Sequence, residues 1–78
     1  MIGASVEDKL RDIFVEVFEV SIDQVGEIDY QSVATWDSIG HMVMVSEIES
    51  AFGVSLDMDD VIAISNFETC IEKLTKYL

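Results

Sequence analysis

"TWDSIGHMVMVSEIESAFG", residues 35–53, is the stretch that decides the fold, because part of it would suit a strand and the whole suits a helix. "MVMV" is apolar and contains two β-branched valines. Over the longer stretch, apolar side chains recur at helical spacing for about four turns: Met42, Val45, Ile48 and Phe52. We therefore predict a helix from Ser38 to Phe52, with Asp37 as its N-cap and Gly53 just past its end.

The N-terminal segment "SVEDKLRDIFVEVFEV", residues 5–20, predicts the first helix, whose pattern fades near Glu19. Its apolar stripe is formed by Val6, Leu10, Ile13, Phe14, Val17 and Phe18. Ser5 and Asp8 resemble a capping box with the shorter acid in the fourth place. The start of this helix is therefore marked as clearly as its buried face.

Residues 20–37 carry no sustained hydrophobic period, and we expect them to form a long loop. A loop of this length in a compact domain is uncommon and is often functional. Scattered apolar residues, among them Trp36, are expected to anchor it on the core. A short turn of helix is expected around residues 22–25.

Two more helices follow the long one. Residues 57–64 begin with aspartates and continue with apolar residues, which predicts a short third helix with an acidic first turn. Residues 65–78 begin with Ser65 and Glu68 at capping-box spacing. The buried stripe of this last helix is predicted to be Phe67, Ile71, Leu74 and Leu78. The fold class is therefore all-α, a small four-helix bundle with a long first loop and a short third helix.

Composition limits the functions that the chain can serve. Its 78 residues are expected to form one domain, residues 1–78, too small to hold both a core and a deep catalytic cleft. Sixteen acidic residues against four basic ones give a formal net charge of −12. This charge disfavours nucleic acid and anionic membranes as partners, whereas basic proteins are attracted.

Other sequence features favour a cytoplasmic monomer. Cys70 is the only cysteine, so no internal disulfide can form. The first residues lack the pattern of a signal peptide or of a myristoylation site, and no apolar run is long enough to span a bilayer. No metal site is predicted, because the aspartate cluster that begins at Asp57 has Ile62 where an EF-hand loop needs glycine.

Ser38 stands at the first position of the predicted helix, where its hydroxyl points away from the helix mouth. Free backbone N–H groups and the positive end of the helix dipole favour a phosphate there. Capping alone is the plainer interpretation of an Asp–Ser pair. Catalysis by Ser38 is disfavoured, because one helical turn cannot place His41 as base together with an orienting group and oxyanion donors. No catalytic residue is therefore predicted.

The motif formed by Asp37, Ser38 and Ile39, with Phe52 and Gly53 beginning fourteen residues after Ser38, resembles the acyl carrier protein family. The resemblance extends over the whole chain and is closest in residues 37–64. It implies that Ser38, preceded by Asp37, carries a 4′-phosphopantetheine arm attached from coenzyme A by a phosphopantetheinyl transferase. The arm would hold an acyl group as a thioester for partner enzymes of fatty-acid, polyketide or specialised biosynthesis. The chain itself would then catalyse nothing.

A docking surface for acyl-loading and acyl-transferring enzymes is predicted beside Ser38. Ile39 and Val43 lie off the predicted core stripe of the second helix, with Met44 at the boundary. This apolar patch is expected to be ringed by Glu47, Asp57, Asp59 and Asp60. Such a surface suits partners with basic docking patches.

Two alternatives stay open at the level of sequence. One is an aminoacyl or peptidyl carrier of the D-alanyl type, because D-alanyl carriers share the Asp–Ser motif. Peptidyl carriers usually have two glycines before that motif, where this chain has Ala34 and Thr35. The other alternative is an acidic interaction module with Ser38 unmodified.

The pathway of an acyl carrier also stays open. Val43 and Ser50 stand where many acyl carriers have acidic residues. A dedicated pathway is therefore as open as general fatty-acid synthesis.

Overall fold

Four α-helices and one 3-10 helix make up the fold of residues 5–78, which the computed structural model describes. The elements in chain order are α1 (Val6–Phe18), the 3-10 helix (Ile22–Glu27), α2 (Ser38–Phe52), α3 (Met58–Ala63) and α4 (Phe67–Thr75). The predicted four-helix bundle with a long first loop and a short third helix is confirmed, including the helical turn within that loop. The residues that precede Ser5 lie outside the described residues. The prediction of no myristoylation site, and part of the prediction of no signal peptide, rest on those residues.

Helix α1 has the cap and the buried face that its sequence predicts. The Ser5 hydroxyl accepts a hydrogen bond from the Asp8 N–H at 3.1 Å. The helix ends where Glu19 adopts a left-handed backbone conformation, with φ 57°. The residues buried on the core side are Leu10, Phe14 and Phe18, with Val6, Ile13 and Val17 packed at the edge of the core. The predicted stripe is therefore confirmed.

An aromatic cluster anchors the long loop on the bundle. The Trp36 side chain is fully buried and stacks on Phe18, with ring centroids 4.4 Å apart. Phe14 contacts the Trp36 ring and the Phe67 ring edge to face, at 5.4 and 5.2 Å. Aromatic pairs of this kind contribute about 0.5–1.5 kcal/mol each beyond the area that they bury. The prediction that Trp36 anchors the loop is confirmed.

Helix α2 has the predicted bounds but a different rotation about its axis. The predicted stripe is wrong at Met42, whose side chain is 49% exposed, and Met44 is fully buried against Cys70. The residues that face the core are His41, Met44, Val45 and Ile48. A hydrogen bond from Trp36 draws His41 inward and so sets this rotation.

Helix α4 begins one residue later than its predicted cap. Asn66, and not Ser65, is the N-cap: its side-chain oxygen accepts from the Thr69 N–H at 2.8 Å, and Thr69 Oγ1 accepts from the Asn66 N–H at 3.0 Å. The predicted box of Ser65 and Glu68 is therefore wrong. The Ser65 carbonyl instead accepts a hydrogen bond from the Tyr30 N–H at 2.8 Å, next to an isolated antiparallel bridge between Asp29 of the long loop and Asn66.

The buried face of α4 also differs from its prediction at one end. Phe67, Cys70 and Leu74 are buried, and Ile71 lies at the edge of the core. Leu78 is exposed, because α4 ends at Thr75, before the next helical turn could bring Leu78 onto the core. Cys70 completes the stripe in its place.

Candidate functional site

Ser38 is the first residue of α2, and its side chain is exposed. Asp37 in front of it provides the cap, because Asp37 Oδ1 accepts from the Gly40 N–H at 2.8 Å. The first intrahelical hydrogen bond runs from the His41 N–H to the Asp37 carbonyl at 2.8 Å. Because Asp37 caps the helix, the start of α2 does not depend on the Ser38 hydroxyl.

Gly40 allows the long loop to lie directly on the first turn of α2. A Cβ atom at Gly40 would stand 2.0 Å from the carbonyl oxygen of Thr35. The Thr35 hydroxyl in turn donates to the Phe18 carbonyl at the end of α1. The backbone around Ser38 is therefore fixed from three directions: by the cap, by the loop and by the end of α1.

The side chain of His41 lies one helical turn after Ser38 and is buried. Its Nδ1 accepts from the Trp36 indole N–H at 3.0 Å, and its Nε2 lies 2.8 Å from the Val61 carbonyl oxygen. Because both ring nitrogens have partners, His41 is not free to take a proton from Ser38. His41 is therefore not placed to act as a base for Ser38.

An open groove of about 270 Å³ runs beside Ser38, between the start of α2 and α3. Its lining is mostly apolar and consists of Tyr30, Ser38, His41, Met42, Met58, Val61, Ile62 and Ile64. Ser38 stands in this lining with its hydroxyl exposed. A group bound to Ser38 could therefore reach an apolar channel without entering the aromatic core.

The sequence model of a family described as "phosphopantetheine attachment site" matches residues 8–77. This chain belongs to that family of carrier proteins. The family's cofactor is 4′-phosphopantetheine, bound covalently, and its members are non-catalytic carriers that meet modifying and acyl-handling enzymes. The expectation that the chain belongs to the acyl carrier protein family is confirmed. No solved structure matches the chain.

The start of α2 suits a phosphopantetheine group. An exposed hydroxyl on a capped helix start is free to be esterified, and early N–H groups of a helix favour a negative phosphodiester. No Lys or Arg occurs in the sequence between Arg11 and Lys73. The phosphate would therefore rely on the backbone of α2 and on its dipole for stabilisation within this chain.

The predicted docking surface is partly as expected and partly wrong in its residues. Ile39 and Val43 are exposed, Ile39 to 74%, as predicted, and Glu47, Asp57 and Asp59 are exposed as well. The prediction that Met44 belongs to the docking surface is wrong, because Met44 is fully buried in the core. The roles of these residues in partner binding stay predictions.

Asp60 of α3 does not lie on the predicted acidic rim, because its side chain is buried against the residues that follow α4. Lys76 Nζ stands 2.7 Å from Asp60 Oδ1, and the Tyr77 hydroxyl donates to Oδ2. Hydrogen bonds from Lys76, and then from Tyr77, lower the pKa of Asp60 below its ordinary value. The same Tyr77 hydroxyl accepts from the Asp57 N–H at 2.9 Å, so the C-terminal residues hold the start of α3.

Two residues of the exposed surface were missed by the sequence analysis. Met58 and Ile62 on α3 are 61% and 72% exposed and face the groove with Met42. Their spacing of four residues on a short helix was the signal, since it puts both on one face. We call Ile39, Met42, Val43, Met58 and Ile62 the docking face.

Residues 5–78 contain neither a metal-binding cluster nor a membrane-spanning helix. No group of three or more His, Cys, Asp or Glu side chains there is placed to hold a metal ion. Within the same residues, every helix is too short or too polar to cross a membrane.

Proposed function

We propose that Ser38 is the residue to which 4′-phosphopantetheine is attached, by a phosphopantetheinyl transferase that uses coenzyme A. The observation that carries the proposal is that one residue caps the start of α2 and a different residue offers the exposed hydroxyl. Asp37 caps the helix, and Ser38 stays exposed beside the groove. Asp37 thus belongs to the site as the residue that leaves Ser38 free. Residues 1–78 act together as one carrier domain.

Attachment joins the Ser38 hydroxyl to the phosphopantetheine phosphate of coenzyme A. An Oγ–P bond forms, the phosphoanhydride P–O bond of coenzyme A breaks, and the adenine nucleotide leaves. Both ring nitrogens of His41 are occupied, so the base that takes the Ser38 proton comes from the transferase. Once attached, the arm supplies a terminal thiol that holds the cargo as a thioester.

The lining of the groove favours an acyl cargo over an aminoacyl one. None of the described residues that line it carries a carboxylate, so the ammonium group of an aminoacyl thioester would find no counter-charge there. Five of its residues, by contrast, are aliphatic or methionine: Met42, Met58, Val61, Ile62 and Ile64. The chain is therefore an acyl carrier, serving fatty-acid, polyketide or specialised biosynthesis in the cytoplasm.

The docking face receives acyl-loading and acyl-transferring enzymes with basic rims. The exposed residues Glu47, Asp57 and Asp59 lie on the same two helices or at the start of α3. Charge complementarity of this kind speeds association and weakens as salt increases. In this role the carrier acts as a monomer, because the docking face has to be accessible.

The attachment is tested with a broad-specificity transferase, coenzyme A and magnesium. The intact protein should gain the mass of one phosphopantetheinyl group, and Ser38→Ala should gain none while keeping its helical circular dichroism. Ser46→Ala, at another exposed serine of α2, is the matched control and should be labelled like the wild type. Labelling of Ser38→Ala, or an unlabelled wild type beside a labelled control carrier, contradicts the proposal.

The docking face is tested separately, by placing a charge within it. Ile39→Asp should raise the transferase KM at least several-fold without lowering the melting temperature, because Ile39 is exposed. Ser50→Asp adds the same charge to an exposed position further along α2 and should change the KM less. Equal effects of the two variants would show that net charge, and not the apolar contact, governs association.

A further inference from the structure

The imidazole of His41 connects three segments that meet beside Ser38. It lies on α2, accepts from Trp36 of the long loop and contacts the carbonyl of Val61 on α3. His41 and Val61 both line the groove, so this contact crosses from one wall to the other. We propose that His41 is a positioning residue, which holds α3 against α2 and thereby sets the width of the groove beside Ser38.

The chemistry of the two partners fixes the form of His41. An indole N–H can only donate and a backbone carbonyl can only accept. Nδ1 is therefore the acceptor and Nε2 carries the proton, which it donates to Val61. A neutral imidazole with this single arrangement of donor and acceptor is a directional connection, and an apolar residue of the same size would not provide it.

Helix α3 depends on such connections because it is short. Its six residues form fewer than two turns, which is far below the length of a helix that is stable by itself. Among the helices, it packs chiefly on α4. The hydrogen bonds of Lys76 and Tyr77 hold its first turn. On the groove side, the bond from His41 supports its other end.

The carbonyl of Val61 is available to His41 because its usual helical partner is engaged elsewhere. In a continuing helix, the Ser65 N–H would donate to this carbonyl. Ser65 instead donates to Thr69 Oγ1 at 2.9 Å, as part of the cap of α4. The Ile64 N–H reaches the Val61 carbonyl only at 3.4 Å. His41 thus supplies the short hydrogen bond to a carbonyl that the end of α3 leaves open.

The consequence for the carrier concerns the placement of Met58 and Ile62, which are α3 residues of the docking face. If α3 is released from α2, these side chains move relative to Ser38 and Ile39, and a partner then meets a less ordered surface. This consequence rests on the proposed function, whereas the connection between α2 and α3 can be tested in the unmodified protein.

The connection between α2 and α3 is tested by measuring hydrogen exchange of the α3 amides in the unmodified protein. Two variants of His41 are compared, one that should break the hydrogen bond to Val61 and one that should keep it. His41→Asn keeps an acceptor near Trp36 but is too short to reach Val61, whereas His41→Gln can still place an N–H donor near the Val61 carbonyl. We expect exchange of the Val61 and Ile64 amides to become about fivefold faster or more in His41→Asn. His41→Gln should return it towards the wild-type rate.

The amide of Cys70 on α4 shows whether the effect is local. Its exchange should change much less than that of the α3 amides in His41→Asn, because neither hydrogen-bond partner of His41 lies on α4. A uniform increase in both helices would assign His41 a general packing role and overturn the proposal, as would equal rates in the Asn and Gln variants.

If a variant fails to fold, a measurement on the wild-type protein still tests the proposal. Nitrogen NMR of His41 should show a protonated Nε2 and an unprotonated Nδ1, with scalar coupling across the hydrogen bond to the Val61 carbonyl. The opposite tautomer, or no coupling, overturns the proposal.

Transferase kinetics link the connection to the carrier's role. His41→Asn should raise KM while kcat stays unchanged, because docking is altered and Ser38 is not. An unchanged KM beside faster α3 exchange would overturn the role in docking. Absence of labelling in every variant and in the wild type would instead refute the assignment of Ser38, and the exchange result would stand.

Discussion

Replacing Gly40 with alanine should destabilise the protein strongly, although alanine is normally the better helix residue. The new Cβ would stand 2.0 Å from the Thr35 carbonyl oxygen, and real Cβ contacts are essentially never shorter than 3.0 Å. The loop or the helix would therefore have to move by about 1 Å. Thr35 cannot easily retreat, because its hydroxyl is bonded to Phe18 and the neighbouring Trp36 is fully buried.

The magnitude follows from two opposing contributions. Overpacking of this kind costs about 3 kcal/mol at the upper end of its usual range. Replacement of glycine by alanine within a helix returns at most about 1 kcal/mol. The net loss of about 2 kcal/mol corresponds to a melting temperature lower by about 8–16 °C in a domain of this size.

The two other glycines within the described residues provide matched controls, all measured by thermal circular dichroism. Gly26 in the 3-10 helix has open space around it, so alanine should be neutral or stabilise by up to about 1 kcal/mol. Gly53 has a left-handed φ of 65°, so alanine should cost about 1–2 kcal/mol. If Gly40→Ala melts at the same temperature as Gly26→Ala, the close approach of the loop to α2 is refuted.

Three further predictions concern the core, the contacts of Asp60 with Lys76 and Tyr77, and the Cys70 thiol. Met44→Ala should lower the free energy of unfolding, measured by chemical denaturation, by about 2–5 kcal/mol, because Met44 is fully buried. Met42→Ala should lower it by less than about 1 kcal/mol, because Met42 is half exposed. Equal losses in the two variants would contradict the rotation of α2. Because its partners lower the pKa of Asp60, the stabilisation from this carboxylate should be complete above its ordinary pKa of 3.8 and be lost as the pH falls through the lower folded value. The difference in melting temperature between wild type and Asp60→Asn should therefore shrink below about pH 4, and a constant difference down to pH 2 would contradict the ion pair. Burial raises the pKa of the Cys70 thiol to about 12, so a thiol reagent at pH 8 should label the unmodified protein only after denaturation; rapid labelling of the native protein would show that Cys70 is accessible.

The sequence predicted the helices well because their signals are local. The caps Ser5 and Asp37, the left-handed glycine Gly53 and the apolar stripe of α1 each depend on residues within a few positions. The attachment motif was recognisable for the same reason, since Asp37 and Ser38 are neighbours in sequence. The start of α2 could therefore be described in detail before any tertiary contact was considered.

The rotation of α2 could not be predicted because it depends on long-range contacts. Nearly every position from Ile39 to Val45 is apolar, so several helical faces are almost equally hydrophobic. The choice among them is made by the contacts of His41 with Trp36 and Val61. A histidine in such a stretch gave no signal of being buried, and Met44 was therefore placed at the surface.

The displacement of Asp60 from the acidic rim has a similar cause. Its neighbours Asp57 and Asp59 are exposed, and the composition alone suggests that all three aspartates face water. Lys76 and Tyr77, sixteen and seventeen residues later, turn the Asp60 carboxylate inwards. Which carboxylate of a cluster is neutralised by a distant lysine cannot be deduced from the cluster itself.

The most direct test of the carrier assignment is to locate the modification in protein purified from its own cells. Fragmentation mass spectrometry should find a phosphopantetheinyl group, free or acylated, on the peptide that contains Ser38. Fragments on either side of Ser38 should confine the added mass to that residue. A phosphopantetheinyl group on another residue, or a Ser38 that is wholly unmodified in cells whose other carriers are modified, would contradict the account.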